Sequence, residues 1–560
     1  MASTAHALPN GAGHHHHHVL RPRPKALQLS RLVSSSELDD TTTTASGVTS
    51  GRSTPIPDNA PPSAKSLSSA RRHARAEQRR RLFPTVEFAS RVSHFDPASD
   101  YRDFHGFFNL FWIGLAIMGI TTMLRNFKDT GYPLRIQIWS LFTVKLWHLA
   151  VADFLMVAST ALSVFLHRWA RNATGFWTWR RAGLVVQSLY QVAWLAFWIG
   201  IPFWLEWTWT AQVFMLLHTM VLLMKMHSYA FYNGHLSEAE KRLRALDNPF
   251  AADRTPAYKY PSPDGTVSAV PDTSSRSSSS PSSSSTDPAA AAAATNDDEK
   301  VDLLRESLAR ELTSPMGNVT YPHNLTWSNY VDYLLCPTLC YELEYPRVPS
   351  VNWTSLVSKI VATFGCIFLL TVTSEEFILP VLVDASRRLD ASAPPSESLL
   401  ILAESISWLL FPFMLTFLLV FLVIFEYVLG AFAEITRFAD RHFYADWWNS
   451  TDWLEFSREW NIPVYSFLRR HVYGASKPHT GKMVATVITF LISAAGHEIV
   501  MACITKKIRG YGFVCMMLQL PIIMLQRTRC VRGRQTLNNV CFWCSMIIGL
   551  SMMCALYVLV

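Results

Sequence analysis

The chain has 560 residues, 50% of them hydrophobic, 12% aromatic and only 16% charged, where an ordinary soluble domain carries roughly a quarter charged residues. That balance argues against a large water-soluble enzyme, the more so because the polar residues concentrate before about residue 90 and between about 250 and 310. A net charge of +8 orients a chain that spans a bilayer, so no nucleic-acid partner is expected.

From Met1 to about Ser90 the chain is Ser, Thr, Pro, Ala and Arg, with too few large apolar residues to offset the entropy of ordering. A disordered cytosolic tail over residues 1–95 is expected. It holds no apolar run of signal-peptide length, which leaves the first span as the anchor. The five histidines His14 to His18 could bind metal, but in these surroundings they read as a low-complexity tract or a cloning remnant. Arg71, Arg72, Arg75, Arg79, Arg80 and Arg81 could lie on anionic lipid or be solvated.

Crossing a bilayer takes about 20 mostly apolar residues. About nine runs qualify: Phe107 to Leu124, Ile138 to Leu166, Gly183 to Leu205, Thr210 to Tyr232, Val357 to Val383, Ser398 to Leu429, Met483 to Ile504, Tyr511 to Leu525 and Leu537 to Val558. The expected fold is all-α, a polytopic bundle of about nine transmembrane helices. It divides into a first membrane segment at 101–246, an insert at 247–310 and a second membrane segment at 311–560. Serine and alanine runs make the insert low-complexity and flexible.

Arginines 168, 171, 180 and 181 follow the second span, and 527, 529, 532 and 534 follow the eighth, both on the side of the basic tail. The N-terminus is then cytosolic and the C-terminus lumenal. Asn233 to Asn352 and Gly430 to Lys482 become cytosolic. Sequons at Asn172, Asn318, Asn324, Asn352 and Asn449 fall on that side and are expected to stay unmodified. Within the second segment, Trp453, Phe456, Trp460, Val464 and Phe467 recur near helical spacing, which suggests an amphipathic stretch on the membrane surface interrupted at Pro463.

An ionisable side chain inside a span calls for an account. His497 lies in the run Met483 to Ile504, behind Ser493, Ala494, Ala495 and Gly496, small residues that admit a neighbouring helix or a substrate chain. It is either a satisfied structural histidine or a base able to take a hydroxyl proton near neutral pH. Lys145, His148, Asp153, Glu375, Glu376, Glu404 and Glu426 are expected to pair inside the bundle, with Lys225 and His227 left open. Phe443-Tyr444-Ala445-Asp446-Trp447-Trp448-Asn449 puts four aromatics beside an acid and an amide three residues apart, polar groups that could brace a site entrance. All nine cysteines follow Leu335; Cys541 and Cys544 lack a second pair at zinc-site spacing, so no metal is expected. A proton or ion relay is the competing reading, but the halves show no matched broken helices.

FYADWWN at Phe443 to Asn449, followed by the histidine of AGHEIV at His497, resembles the membrane-bound O-acyltransferases, in the branch of sterol and diacylglycerol acyltransferases. MKMHSYAFYNG at Met224 to Gly234, YPRVPSVNW at Tyr345 to Trp353 and WNIPVYSFLRRHVY at Trp460 to Tyr473 are most similar to the fungal sterol enzymes. Tyr465 departs from many relatives, which have histidine there. The resemblance runs from about Tyr101 to the C-terminus without the insert.

It implies transfer of an acyl group from acyl-CoA to a sterol 3-hydroxyl. Acyl-CoA is a co-substrate and no cofactor is needed; a diacylglycerol acceptor is the alternative. His497 would be the general base, and Asn449 would hold the thioester. Phe443, Tyr444, Asp446, Trp447 and Trp448 would flank the acyl-CoA path or brace it, Glu498 would orient His497 or pair elsewhere, and Gln519 of MMLQLP would line the chamber. The implied setting is the endoplasmic reticulum membrane, as a homodimer or homotetramer. Removal of residues 1–68 is expected to leave membrane insertion intact, measured as carbonate-resistant protein in membranes.

Overall fold

Inside a bilayer a backbone finds no water, so an apolar run satisfies its N–H and C=O groups within a helix. The structure, a computed structural model, describes residues 86–96, 99, 105–132, 145–246, 301, 303–391, 394–528, 531 and 533–559, all within the unit Arg80–Val560. The histidine run, the basic cluster and the serine and alanine runs lie outside the described residues.

The first half comprises α1 (His105–Thr130), α2 (Leu146–Thr160), α3 (Leu162–Asn172), α4 (Leu184–Trp204) and α5 (Trp209–Leu246). After α6 (Trp327–Leu335) come α7 (Trp353–Thr373), α8 (Leu379–Asp390), α9 (Pro395–Phe421) and α10 (Leu429–Ile435). The chain finishes with α11 (Trp453–Glu459), α12 (Ile462–Phe467), α13 (Gly474–Thr505), α14 (Tyr511–Gln526) and α15 (Gln535–Leu559). Single π turns join α7 to α8, α9 to α10 and α12 to α13, and another leads into α4.

Among the described residues, eight helical stretches are long and apolar enough to cross a membrane. The eighth expected span, α14, has 16 residues, about 24 Å of helix, and completes the set of about nine as a short member.

Alternating spans bring five segments to one face, and they bond to one another there. Val86 N–H donates to Glu342 (3.0 Å), Arg91 pairs with Asp440, and Arg168 donates to the Leu325 carbonyl (3.1 Å). Val348 N–H donates to the Arg437 carbonyl (2.8 Å), Trp453 N–H to Gln526 (3.3 Å), and Asn539 to the Ser450 carbonyl (3.0 Å). At the opposite ends, Lys145 meets the Leu205 carbonyl (3.3 Å) and Arg388 meets Glu404 (2.8 Å).

Three expected boundaries move. The end of the expected tail is part of the fold, because residues 86–96 dock on 438–444 through Arg91–Asp440 and a short bridge. The insert ends before 310, since residues 303–311 are helical and Leu308 is buried in the main core. The fourth span runs on through Leu246, its second half covered by a tyrosine cluster in which the Tyr229 ring lies 4.8 Å from Tyr330 and 4.9 Å from Tyr341. Asn324 is sealed in that cluster, donating to Asn233 (2.7 Å) and Tyr341 (2.9 Å), which leaves its sequon no room for a glycan.

The amphipathic stretch does break where expected, with Asn461 capping α12 ahead of Pro463. Its apolar side meets the bundle: Phe456 and Trp460 pack against the main core, Trp460 stacking on Phe417 at 4.5 Å.

Pairing accounts for most of the charges inside the spans. Asp153 meets His218 (2.6 Å), Glu376 meets Arg125 (2.8 Å), Glu404 meets Arg388, and Glu426 meets Lys359 (3.3 Å). Lys225 donates to the Tyr333 and Cys336 carbonyls (3.0 and 2.6 Å) and His227 bonds Gln191 (3.0 Å), whereas His148 stands exposed near the start of α2.

Gly234 sits where α5 crosses the buried Trp179 indole, and a Cβ there would overlap the ring. Gly234→Ala is expected to cost about 1–3 kcal/mol or more. The check is the thermal midpoint of detergent-purified protein, with Trp179→Leu in the same chain recovering part of the loss.

Candidate active site

The aromatic string follows α10 as extended chain that turns back into the bundle. Phe443, Tyr444 and Trp447 are 3%, 1% and 1% exposed, packed inside the bundle. The Trp447 ring is enclosed by Phe417, Phe421, Trp460 and Trp543 at 4.9–5.6 Å. The Tyr444 hydroxyl donates to the buried Glu426 carboxylate (3.0 Å). Asn449 N–H donates to the Asp446 carbonyl (2.9 Å), closing a 3₁₀ turn over Trp447–Asn449. On the far side, Asn539 and the Trp543 indole donate to the Trp448 carbonyl (3.0 and 3.1 Å).

These contacts hold the turn and leave its tip open. Asp446 and Trp448 are half-buried, and Asn449 is exposed, its carboxamide taking no hydrogen bond among the described residues. Such a group can donate to an incoming carbonyl without first breaking a bond.

His497 is carried by α13, which kinks at Gly481, where φ is 80°, and then runs to Thr505. The His497 ring is accessible, and its Nδ1 lies 3.1 Å from the Ser493 carbonyl one turn back. A carbonyl oxygen only accepts, so Nδ1 carries the proton and the neutral ring presents the Nε2 lone pair outward. Nothing among the described residues bonds Nε2.

Glu498 does not orient that ring. Its carboxylate accepts from Gly510 N–H (2.7 Å), Phe513 N–H (3.1 Å) and the Tyr557 hydroxyl (2.6 Å). It is the anion at the N-terminus of α14, where free N–H groups and the helix dipole favour negative charge. Adjacent helical residues diverge by about 100°, so this commitment turns His497 to the side. On α14, Gln519 shares the stripe of the buried Gly512 and Ile523 and donates weakly to Met516 Sδ (3.5 Å).

The two polar candidates stand at different levels. Glu498 meets α14 at Gly510 to Phe513, and Trp453, four residues beyond Asn449, meets it at Gln526. About 14 residues of helix, or about 21 Å, separate those contacts. No hydrogen bond joins Asn449 to His497.

Sequence reasoning missed the residues before the first span. The His94 ring stacks on Tyr444 (5.4 Å) and His442 (5.8 Å) and meets the edge of Trp448 at 6.0 Å. No periodicity or motif marks residues 86–96; only Phe88 and Phe95 stand out from the polar tail. Burial holds the His442 pKa down to about 3, with Arg91 and His94 adding to the effect and Asp446 opposing it. Burial also lowers that of His94 against the pull of Asp446 and Glu426.

Residues 178–559 match MBOAT, the membrane-bound O-acyltransferase family. The chain belongs to the membrane-bound O-acyltransferase family. Probable sterol O-acyltransferase 2 of Schizosaccharomyces pombe is 38% identical to this acyltransferase over 462 residues, 82% of this chain and 87% of that protein. Sterol O-acyltransferase 2 of Candida albicans is 30% identical over 488 residues, 85% of this chain and 78% of that protein. Diacylglycerol O-acyltransferase 1 of Dictyostelium discoideum is 32% identical over 244 residues, only 43% and 38% of the two. The family match takes in Asn449 and His497 and begins after the segment that carries His94.

His442 and His94 have folded pKa values below the ordinary 6.5, so the unfolded acyltransferase binds more protons as pH drops below about 6.5, and stability falls. The thermal midpoint is expected to be lower at pH 5.5 than at pH 7.5, and His442→Gln is expected to shrink that difference.

Proposed function

We propose that this membrane-bound O-acyltransferase moves a long-chain acyl group from acyl-CoA to the 3-hydroxyl of a sterol, making a steryl ester and free CoA. The observation that carries the chemistry is the His497 ring, with Nδ1 tied to the Ser493 carbonyl and Nε2 left open. Nε2 takes the hydroxyl proton as the sterol oxygen attacks the thioester carbonyl. The tetrahedral intermediate then collapses with loss of the C–S bond, and the proton passes from the imidazolium to the departing thiolate. General-base assistance of this kind is worth about 10²- to 10⁴-fold.

Asn449 donates to the acyl-CoA on its way to the histidine, with Asp446 and Trp448 beside it and Gln519 deeper along α14. No cofactor enters, because acyl-CoA supplies the activated carbonyl and is consumed. The similarity to sterol acyltransferases over most of the chain, against a partial one to a diacylglycerol acyltransferase, supports the sterol as acceptor.

CoA is too polar to cross lipid, so it reaches the face on which residues 86–96, 303–352 and 436–461 gather. That face is cytosolic in this reading and the C-terminus lumenal, in the endoplasmic reticulum membrane. The sterol arrives from the bilayer, and the active form is a homodimer or homotetramer by resemblance.

Membranes from cells lacking their own activity, given labelled oleoyl-CoA with ergosterol, cholesterol or diacylglycerol, are expected to yield labelled steryl ester. His497→Ala is expected to remove that product while the protein still accumulates. Labelled triacylglycerol instead would overturn the acceptor, and full activity in the variant would overturn the base.

A further inference from the structure

The motif that carries Asn449 is held from two sides. On one side the Trp448 carbonyl is fixed to α15 by Asn539 and Trp543. The other side is formed by residues from before the first span, outside the stretch that matches the family. Arg91 N–H donates to the Ala439 carbonyl (3.0 Å), Arg441 N–H to the Arg91 carbonyl (2.9 Å), and the Arg91 side chain grips Asp440 at 2.9 and 2.5 Å. These bonds lay the segment alongside the residues leading into the motif.

Two residues further on, the contacts reach the motif itself. The Ser93 hydroxyl donates to Glu426 Oε2 (2.5 Å) and lies 3.0 Å from the Tyr444 hydroxyl, which donates to the same carboxylate oxygen. His94 covers the face of Tyr444 and the edge of Trp448, and Phe95 lies 6.0 Å from Trp448 and 6.2 Å from Tyr444. The Trp448 ring is therefore confined by this segment as its carbonyl is confined by α15, and Asn449 is the next residue.

We propose that Ser93 and His94 are positioning residues for acyl-CoA: Ser93, His94 and Phe95 form the wall that sets Tyr444 and Trp448, and through them the exposed carboxamide of Asn449. This rests on the reading of the site as an acyl-CoA site. The wall acts on the co-substrate that passes Asn449 and leaves the sterol, which arrives from the bilayer toward His497, untouched. Losing the Ser93 hydroxyl also leaves Glu426 Oε2 one donor short, so Tyr444 and its carboxylate relax together.

The test uses the full chain in membranes without background activity, varying oleoyl-CoA and ergosterol separately. Ser93→Ala, which loses one hydrogen bond to a charged group, is expected to raise KM for oleoyl-CoA about tenfold, and His94→Ala, which loses the ring over Tyr444 and Trp448, about fivefold, with KM for ergosterol unchanged in both. Val92→Ala, at an exposed position, is expected to behave as wild type. Ser93 and Tyr444 serve one carboxylate oxygen, so Ser93→Ala with Tyr444→Phe is expected to fall short of the sum of the single effects.

Unchanged KM for oleoyl-CoA in both single variants would overturn the proposal. So would an equal rise in both KM values, or a loss that follows protein amount alone. If Ser93→Ala does not accumulate, His94→Ala and Phe95→Leu carry the same comparison. The wild-type product identifies the acceptor separately: triacylglycerol would sink the sterol reading and leave the oleoyl-CoA comparison to be read with diacylglycerol.

Discussion

One buried carboxylate ties the assembly together. Glu426 is 6% exposed in the sixth span, and an unpaired charge in such a place costs several kcal/mol. Three donors answer it: the Ser93 hydroxyl from before the first span, Lys359 of α7, and the Tyr444 hydroxyl of the motif. Four stretches of chain therefore meet at one group. Removing any donor leaves the charge short, which is a stronger constraint than loss of apolar contact alone, because lipid tails can replace apolar partners and cannot replace a hydrogen-bond donor.

The backbone is shaped around such charges. Each of the four π turns among the described residues carries ionisable residues: Arg180 and Arg181, Glu375 and Glu376, Glu426, and Arg470 with His471. A π turn holds one more residue than an α turn and shifts the helix face on either side of it. In a span whose surroundings are apolar, that shift lets one polar side chain reach a partner while the flanking turns keep their lipid-facing register. Arg470, 4% exposed, reaches Glu342 and the Tyr341 carbonyl in this way (both 3.0 Å).

The spans were legible because crossing a bilayer is a demand on composition, which a run such as Ser398 to Leu429 meets by itself. That charges inside them would pair was legible too, from the cost of leaving them alone. Which charge meets which was not: Ser93 and Glu426 are 333 residues apart in the chain. The second half of α5 hid for a different reason. Its residues are mixed in polarity, and Asn233 and Glu240 become interior only through partners from elsewhere in the chain, Asn324 and Arg171. FYADWWN could be found as a string, but the division within it, three rings buried and the amide exposed, is set by neighbours that the string does not contain.

His497 and Glu498 show how far adjacency can mislead. As neighbours in sequence they read as a base and its orienting acid. As neighbours on a helix they point about 100° apart, and each meets a different demand. The N-terminus of α14 needs an anion, and Glu498 spends both oxygens there and on Tyr557. The histidine is oriented instead by its own helix, through the Ser493 carbonyl. That arrangement fixes the tautomer through a carbonyl, and no carboxylate bonds the ring among the described residues. Glu498 is kept from orienting the ring by the helix it caps, so in the proposed reaction the tautomer of His497 is set by the backbone of its own helix.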